Sequence, residues 1–162
     1  MNFFLVDILI SKDKEVDLNI KKQILIKGLD LINKELKTSK TNNFCLTVSL
    51  RLTNIRNMKK LNYSFSGSNK ETNVLSFSPD PNETDEKNNS VGDIAICVDV
   101  LKRESKEQNK DFLDHLLHLF VHGVLHLLGY KHDSDREASK MEQIEKSILS
   151  KLGIEDPYLI EL

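Results

Sequence analysis

The chain has no tryptophan, and only two cysteines, three prolines and six glycines among 162 residues. Cys45 and Cys97 form no CxxC pair and lie in apolar, strand-like runs, so both read as small buried hydrophobes. Neither sign of charge dominates, with 23 Lys and Arg against 25 Asp and Glu. That balance excludes a bulk polycation holding nucleic acid by net charge, and leaves room for a local basic face. No apolar stretch approaches the roughly 18 residues that a membrane-spanning helix needs. Residues 1–7 have no basic n-region and their apolar run stops at Asp7, which argues against a signal peptide. The expectation is a cytoplasmic protein with no membrane partner.

What is present is an ordinary globular composition, 39% hydrophobic and 30% charged, neither a disordered tail nor a repeat array. Residues 1–162 fit one domain, long enough to bury a hydrophobic core. Apolar periodicity predicts strands over 3–10, 44–52, 73–78 and 92–98, the last buried on both faces. It predicts helices over 17–36, 99–108, 111–128 and 135–152, and a short helix capped by Thr53 that carries Ile55, Met58 and Leu61. Residues 64–72 and 79–90 read as loops. The expected architecture is α+β, one domain in which a small mixed β-sheet packs against helices.

All five histidines fall between His115 and His132. His115, His118, His122 and His126 are spaced by three, four and four residues, so they share one stripe of one helix. The sharper signal is His122-Gly-Val-Leu-His126-Leu-Leu-Gly129-Tyr-Lys-His132. Imidazoles at i and i+4 project side by side and can grip one cation. Gly129 can end the helix in the left-handed conformation, and the turn then delivers His132 as a third nitrogen ligand. Three neutral imidazoles leave one position of a tetrahedral ion open, the ligand count of a catalytic zinc site. The spacing is zincin-like, but Gly123 stands where metzincin proteases carry their Glu base. Metal-activated water and a polarised phosphoryl oxygen suit a phosphodiester better than a peptide here. His118 is a candidate outer or substrate-orienting group, and His115 reads as surface. Ser134 and Glu137 form a capping box that starts the next helix beside His132. Asp133 or Asp135 is placed to accept from a ligand imidazole, or simply to complement that helix N-terminus.

The same run resembles HGxLHLxGYDH, the signature of the bacterial YbeY metallo-endoribonucleases. Leu61-Asn62, Gly67 and Thr72-Asn73-Val74-Leu75-Ser76-Phe77 are similar to that family's LN…TxVLSF segment, and Val91-Gly92-Asp93-Ile94 to its LGDI strand entry. Met141 and Glu145, and the closing Glu155-Asp156-Pro157-Tyr158, fit as well. The resemblance covers about residues 44–158 by motif and the first 40 by pattern. It implies a zinc-dependent, single-strand-specific endoribonuclease that hydrolyses RNA phosphodiesters with a metal-activated water. The implied role is maturation of the 3′ end of small-subunit ribosomal RNA and ribosome quality control, with the small subunit as partner and no DNA. His122, His126 and His132 carry over as ligands of one zinc ion per chain.

Two positions depart from the family pattern. Ser66 stands where the family has an Arg suited to phosphate, and a hydroxyl cannot supply that bidentate, charge-assisted contact. Lys70 or Arg56 is a candidate substitute, and Arg56, Lys59 and Lys60 form a basic helix face suited to backbone phosphates. Lys131 replaces the signature's Asp, and either weakens cation binding or adds a phosphate contact. The alternative function is a metal-binding ribosome-assembly factor whose nuclease activity is weakened or lost. A metalloprotease is the remaining class, disfavoured by Gly123.

Overall fold

The computed structural model describes residues 6–36, 46–80 and 90–159. In chain order the elements are β1 (Val6–Lys12), α1 (Lys22–Glu35), β2 (Leu46–Thr53), α2 (Ile55–Ser66), β3 (Val74–Phe77), β4 (Ser90–Cys97), α3 (Val98–Glu107), α4 (Phe112–Leu127) and α5 (Asp135–Lys151). The sheet order is β1-β2-β4-β3. β1 and β4 flank β2 in parallel, and β3 runs antiparallel along β4 as an edge strand. Parallel neighbours need a crossover, and α1 supplies the one between β1 and β2. The fold is the expected α+β arrangement with a small mixed sheet against helices.

Alternation along β2 sets the layers. Leu46, Val48, Leu50 and Leu52 are buried, and their neighbours Thr47, Ser49 and Arg51 are half-exposed. The main core joins Ile8, Val48, Ile94 and Ile96 of the sheet to Leu29 of α1, Phe120 and Val124 of α4 and Ile148 of α5. On the opposite face Ala95 and Cys97 pack with Met58 of α2 and Val100 of α3. From Ile94 to Cys97 β4 is therefore buried on both faces, as its apolar run predicts, while Asp93 before it is exposed. Each such aliphatic side chain contributes about 1.5–3 kcal/mol on leaving water.

Several boundaries differ from the sequence expectation; β1 runs on to Lys12 and β4 begins at Ser90. Helix α1 starts at Lys22, because Val16, Leu18 and Ile20 alternate and pack against the core as extended chain. Asn54, not Thr53, caps α2: its side chain accepts from the Asn57 N–H at 2.9 Å. Thr53 is buried and donates its hydroxyl to Asp13 at 2.5 Å, where Asn57 Nδ2 at 2.7 Å and Arg51 Nε at 2.8 Å also donate. Burial alone would raise the Asp13 pKa, but these hydrogen bonds outweigh it and lower it. Helix α2 also continues through residues 64–66, which read as loop, before Gly67 turns the chain in the left-handed region at φ 74°. Residues 3–5, Cys45 and residues 81–89 lie outside the described residues. No described helix is long and apolar enough to cross a membrane.

Candidate metal centre

Helix α4 is held between the sheet and α5 by Leu116, Phe120, Val121 and Val124, all fully buried. Asp111 caps its start by accepting from the Asp114 N–H at 3.1 Å. Midway, Gly123 meets the sheet. A Cβ there would lie 3.1 Å from Ser76 Oγ and 3.2 Å from Ile94 Cδ1, and the Gly123 carbonyl accepts from the Ser76 hydroxyl at 3.0 Å. The position that carries a Glu base in metzincins thus faces packed strands, with no room for a carboxylate. At the helix end Gly129 has φ 99°, and the Gly129 and Tyr130 N–H groups bond back to the His126 and Leu125 carbonyls at 3.0 Å each. This Schellman turn reverses the chain and brings His132 over the helix, its ring stacked on His122 with centroids 5.6 Å apart.

The ligand nitrogens of His122, His126 and His132 all lie within 4.8 Å of one another. The surroundings assign the tautomers of the first two. His126 Nδ1 is 3.0 Å from the Tyr130 carbonyl, a pure acceptor, so Nδ1 carries the proton. His122 Nδ1 is 2.5 Å from Glu145 Oε1 and likewise donates. Both Nε2 atoms are therefore bare, and they face each other at 2.9 Å. Two lone pairs at that distance need a positive charge between them. A proton can supply it as an imidazolium, which burial and then the nearby His122 disfavour at the His126 ring by lowering its pKa. A divalent cation can supply it as well, once the rings part slightly: two nitrogens on a tetrahedral zinc sit roughly 3.3 Å apart. The three residues can hold such an ion.

Behind His122 lies a group whose role the sequence reading left unassigned. Glu145 of α5 is fully buried. Its Oε1 takes the His122 proton, and its Oε2 lies 3.2 Å from His118 Nε2 and accepts from the Tyr158 hydroxyl in a short hydrogen bond. Burial would raise the Glu145 pKa, but the hydrogen bonds from His118, His122 and Tyr158 outweigh it and hold the carboxyl down at about 2. Burial, and then the Glu145 carboxylate, push the Tyr158 phenol well above its ordinary range, so it stays a donor. His118, His122 and Glu145 also satisfy metal-ligand spacing by themselves. The signal was available in the sequence: Met141, Glu145, Ile148 and Leu152 share one helical stripe, and Glu145 is the single charge on it.

His118 thus turns toward Glu145 and away from the open side of the three histidines. His115, expected at the surface, is 5% exposed, because α3 packs across the first turn of α4. Among the described residues neither of its nitrogens has a hydrogen-bond partner, and Glu104 Oε2 is 3.6 Å away. Burial lowers its pKa against the pull of Glu104. Ser134 caps α5 as expected, accepting from the Glu137 N–H at 3.2 Å. The acceptors for His122 and His126 are Glu145 and the Tyr130 carbonyl, while Asp133 and Asp135 are exposed beside the turn with Lys131.

At the end of α2, Ser66 is exposed and its hydroxyl is spent on its own helix, donating toward the Asn62 carbonyl at 2.9 Å. Asn62 Nδ2 in turn donates to the Lys70 carbonyl at 2.9 Å, so Lys70 is brought to the Ser66 end of α2. Arg56 is not: ten residues of helix put it about 15 Å away along the axis. This end of α2 rests on β3 through Phe65, edge-on to Phe77 at 5.0 Å, and β3 is the strand lying along α4 at Gly123.

An α+β fold with three imidazoles gathered by an HxxxHxxGxxH helix and turn defines a zincin-like candidate metal centre. The family model described as Endoribonuclease YbeY matches residues 8–153, and the chain belongs to that family of endoribonucleases. It is 40% identical over 154 residues to Endoribonuclease YbeY of Bartonella henselae, covering 94% of this chain and 96% of the relative. It is 46% identical over 128 residues to Endoribonuclease YbeY of Colwellia psychrerythraea, covering 77% and 79%. The solution structure of TM1509 from Thermotoga maritima shares the fold with a TM-score of 0.54 and 23% identity, over 94% of this chain and 99% of that one.

Proposed function

We propose that residues 1–162 act as one zinc-dependent, single-strand-specific endoribonuclease unit with His122, His126 and His132 as the metal ligands. The observation that carries this reading is the pair of bare Nε2 atoms 2.9 Å apart, with His132 stacked beside them. Bound there, zinc supplies an acidified water and a Lewis acid for a phosphoryl oxygen, which is the chemistry phosphodiester hydrolysis needs. The Tyr130 carbonyl and Glu145 keep the His126 and His122 protons on Nδ1, so neither ring spends its Nε2 on a hydrogen bond elsewhere. Gly123 keeps the first strand-facing position free of a carboxylate, which favours a phosphodiester over a peptide. Lys70 and the basic face of Arg56, Lys59 and Lys60 bind the RNA backbone. The natural substrate is the 3′ end of small-subunit ribosomal RNA in the cytoplasm, and the same activity serves ribosome quality control.

The test is cleavage of a single-stranded RNA by zinc-loaded protein beside His126→Ala. Zinc-dependent cleavage lost in the variant is expected, and equal activity in both proteins would refute the reading. One observation favours a second reading, a metal-binding ribosome-assembly factor with weakened nuclease activity. The Ser66 hydroxyl is tied to its own helix and puts no charge where the family has a guanidinium. Full-length protein that binds zinc and the small subunit but leaves RNA intact would decide for it.

A further inference from the structure

We infer that Glu145 is a positioning residue for the metal centre, fixing the tautomer and aim of His122, and that Tyr158 and His118 hold it in place. The inference deepens the three-histidine reading above and rests on it. A carboxylate with no exposed surface in a helix that otherwise packs through Met141, Ile148 and Leu149 is unfavourable unless both its oxygens are used as acceptors. They are used in a specific division. Oε1 takes only the His122 Nδ1 proton, at 2.5 Å, and Oε2 takes the Tyr158 hydroxyl and His118 Nε2.

The Oε2 contacts do not touch the candidate ligands. They fix the rotation of the carboxylate, and that rotation decides where Oε1 points. His122 is the ring that most needs such a guide. The Schellman turn supplies a backbone carbonyl to His126, but His122 lies in mid-helix, where every nearby carbonyl is engaged in the helix ladder. Without Glu145, His122 could carry its proton on either nitrogen, and the Nε2–H form has no lone pair to offer. An acidic partner also makes the imidazole a stronger donor to a cation. Tyr158 arrives from the turn after α5, which is itself tied down where Lys110 Nζ donates to the Pro157 carbonyl at 3.4 Å and the Tyr158 N–H to Asp156 Oδ1 at 2.8 Å. The C-terminal turn thereby becomes part of the support of the metal centre.

The experiment uses the full-length protein in two measurements. Nitrogen NMR of the metal-free wild type reads the His122 tautomer directly. Competition with a chromophoric chelator reads zinc affinity and stoichiometry for wild type, Glu145→Gln and Tyr158→Phe, with thermal melts as the folding control. The expected results are Nδ1–H at His122 and one zinc per chain. Affinity should be about 10–100-fold weaker in Glu145→Gln and weaker by a smaller factor in Tyr158→Phe. Tyr158 is only half-buried, so its variant serves if Glu145→Gln does not fold. An Nε2–H tautomer in the wild type would overturn the inference. So would unchanged zinc affinity in the folded variants, or a second zinc that disappears with Glu145→Gln and makes Glu145 a ligand. Wild-type protein that takes no zinc would instead sink the three-histidine reading, and the metal-free tautomer would still decide the role of Glu145.

Discussion

At the metal corner, the second nitrogens of His122 and His126 each have an acceptor, and that acceptor aims the ring. At the end of α2, the residue in the corresponding position for substrate, Ser66, is exposed and bonded to its own helix. One corner is rigid and assigned before anything binds. The other offers a flexible, exposed Lys70 in place of a planar fork. On the proposed function, the difference places the limit on activity at the grip on the phosphate. The histidine stripe repeats the contrast on a smaller scale. Its far end, His115, is buried and has no hydrogen-bond partner among the described residues, so the same residue type on the same face is sealed into the protein.

Four changes would break or sharpen that contrast. His126→Ala removes one of three ligands and should take zinc-dependent RNA cleavage to background, read in a gel assay with the folded state checked by circular dichroism. Ser66→Arg restores the missing guanidinium and should raise cleavage by on the order of 10². No gain there would show that the α2 end is not the limiting corner. Lys70→Ala should weaken RNA binding severalfold and make the salt dependence shallower, by about 0.7 in the log–log slope for one lost single-strand phosphate contact. An unchanged slope removes Lys70 from the interface.

The smallest effect belongs to His115. Its folded pKa lies below the unfolded value of 6.5, so the unfolded chain binds the proton first. Its share of stability is complete above that value and drains away as pH falls below it. His115→Phe keeps the shape and discards two unpartnered nitrogens. It should stabilise the protein by about 1 kcal/mol and flatten the acid side of the stability curve, read by urea unfolding at pH 7.5 and pH 5.

Much of this was legible in the residues. The unbroken alternation of β2, the capped start of α5, and the Gly129 turn follow from local rules that tertiary contacts did not override. The three histidines were legible for the same reason, since a helix and one tight turn fix their relation. Strand order was not, because β4 inserts between β2 and β3 and leaves β3 at the edge, a choice made by long-range packing. His115 was misplaced for a similar cause: nothing local says that α3 will cover the first turn of α4. Glu145 and Tyr158 show the limit most clearly. One interrupts an apolar stripe and the other lies 13 residues on, and only the fold shows that they meet behind His122.

The central claim is that one zinc ion on three histidines performs RNA cleavage. Bound zinc and cleavage rate, measured on the same preparation as metal is titrated into the metal-free protein, test it most directly. The account predicts that the rate rises with occupancy and stops at one zinc per chain, and that His126→Ala shows neither binding nor cleavage. Cleavage that proceeds without regard to zinc content, or that survives in the variant, would contradict it.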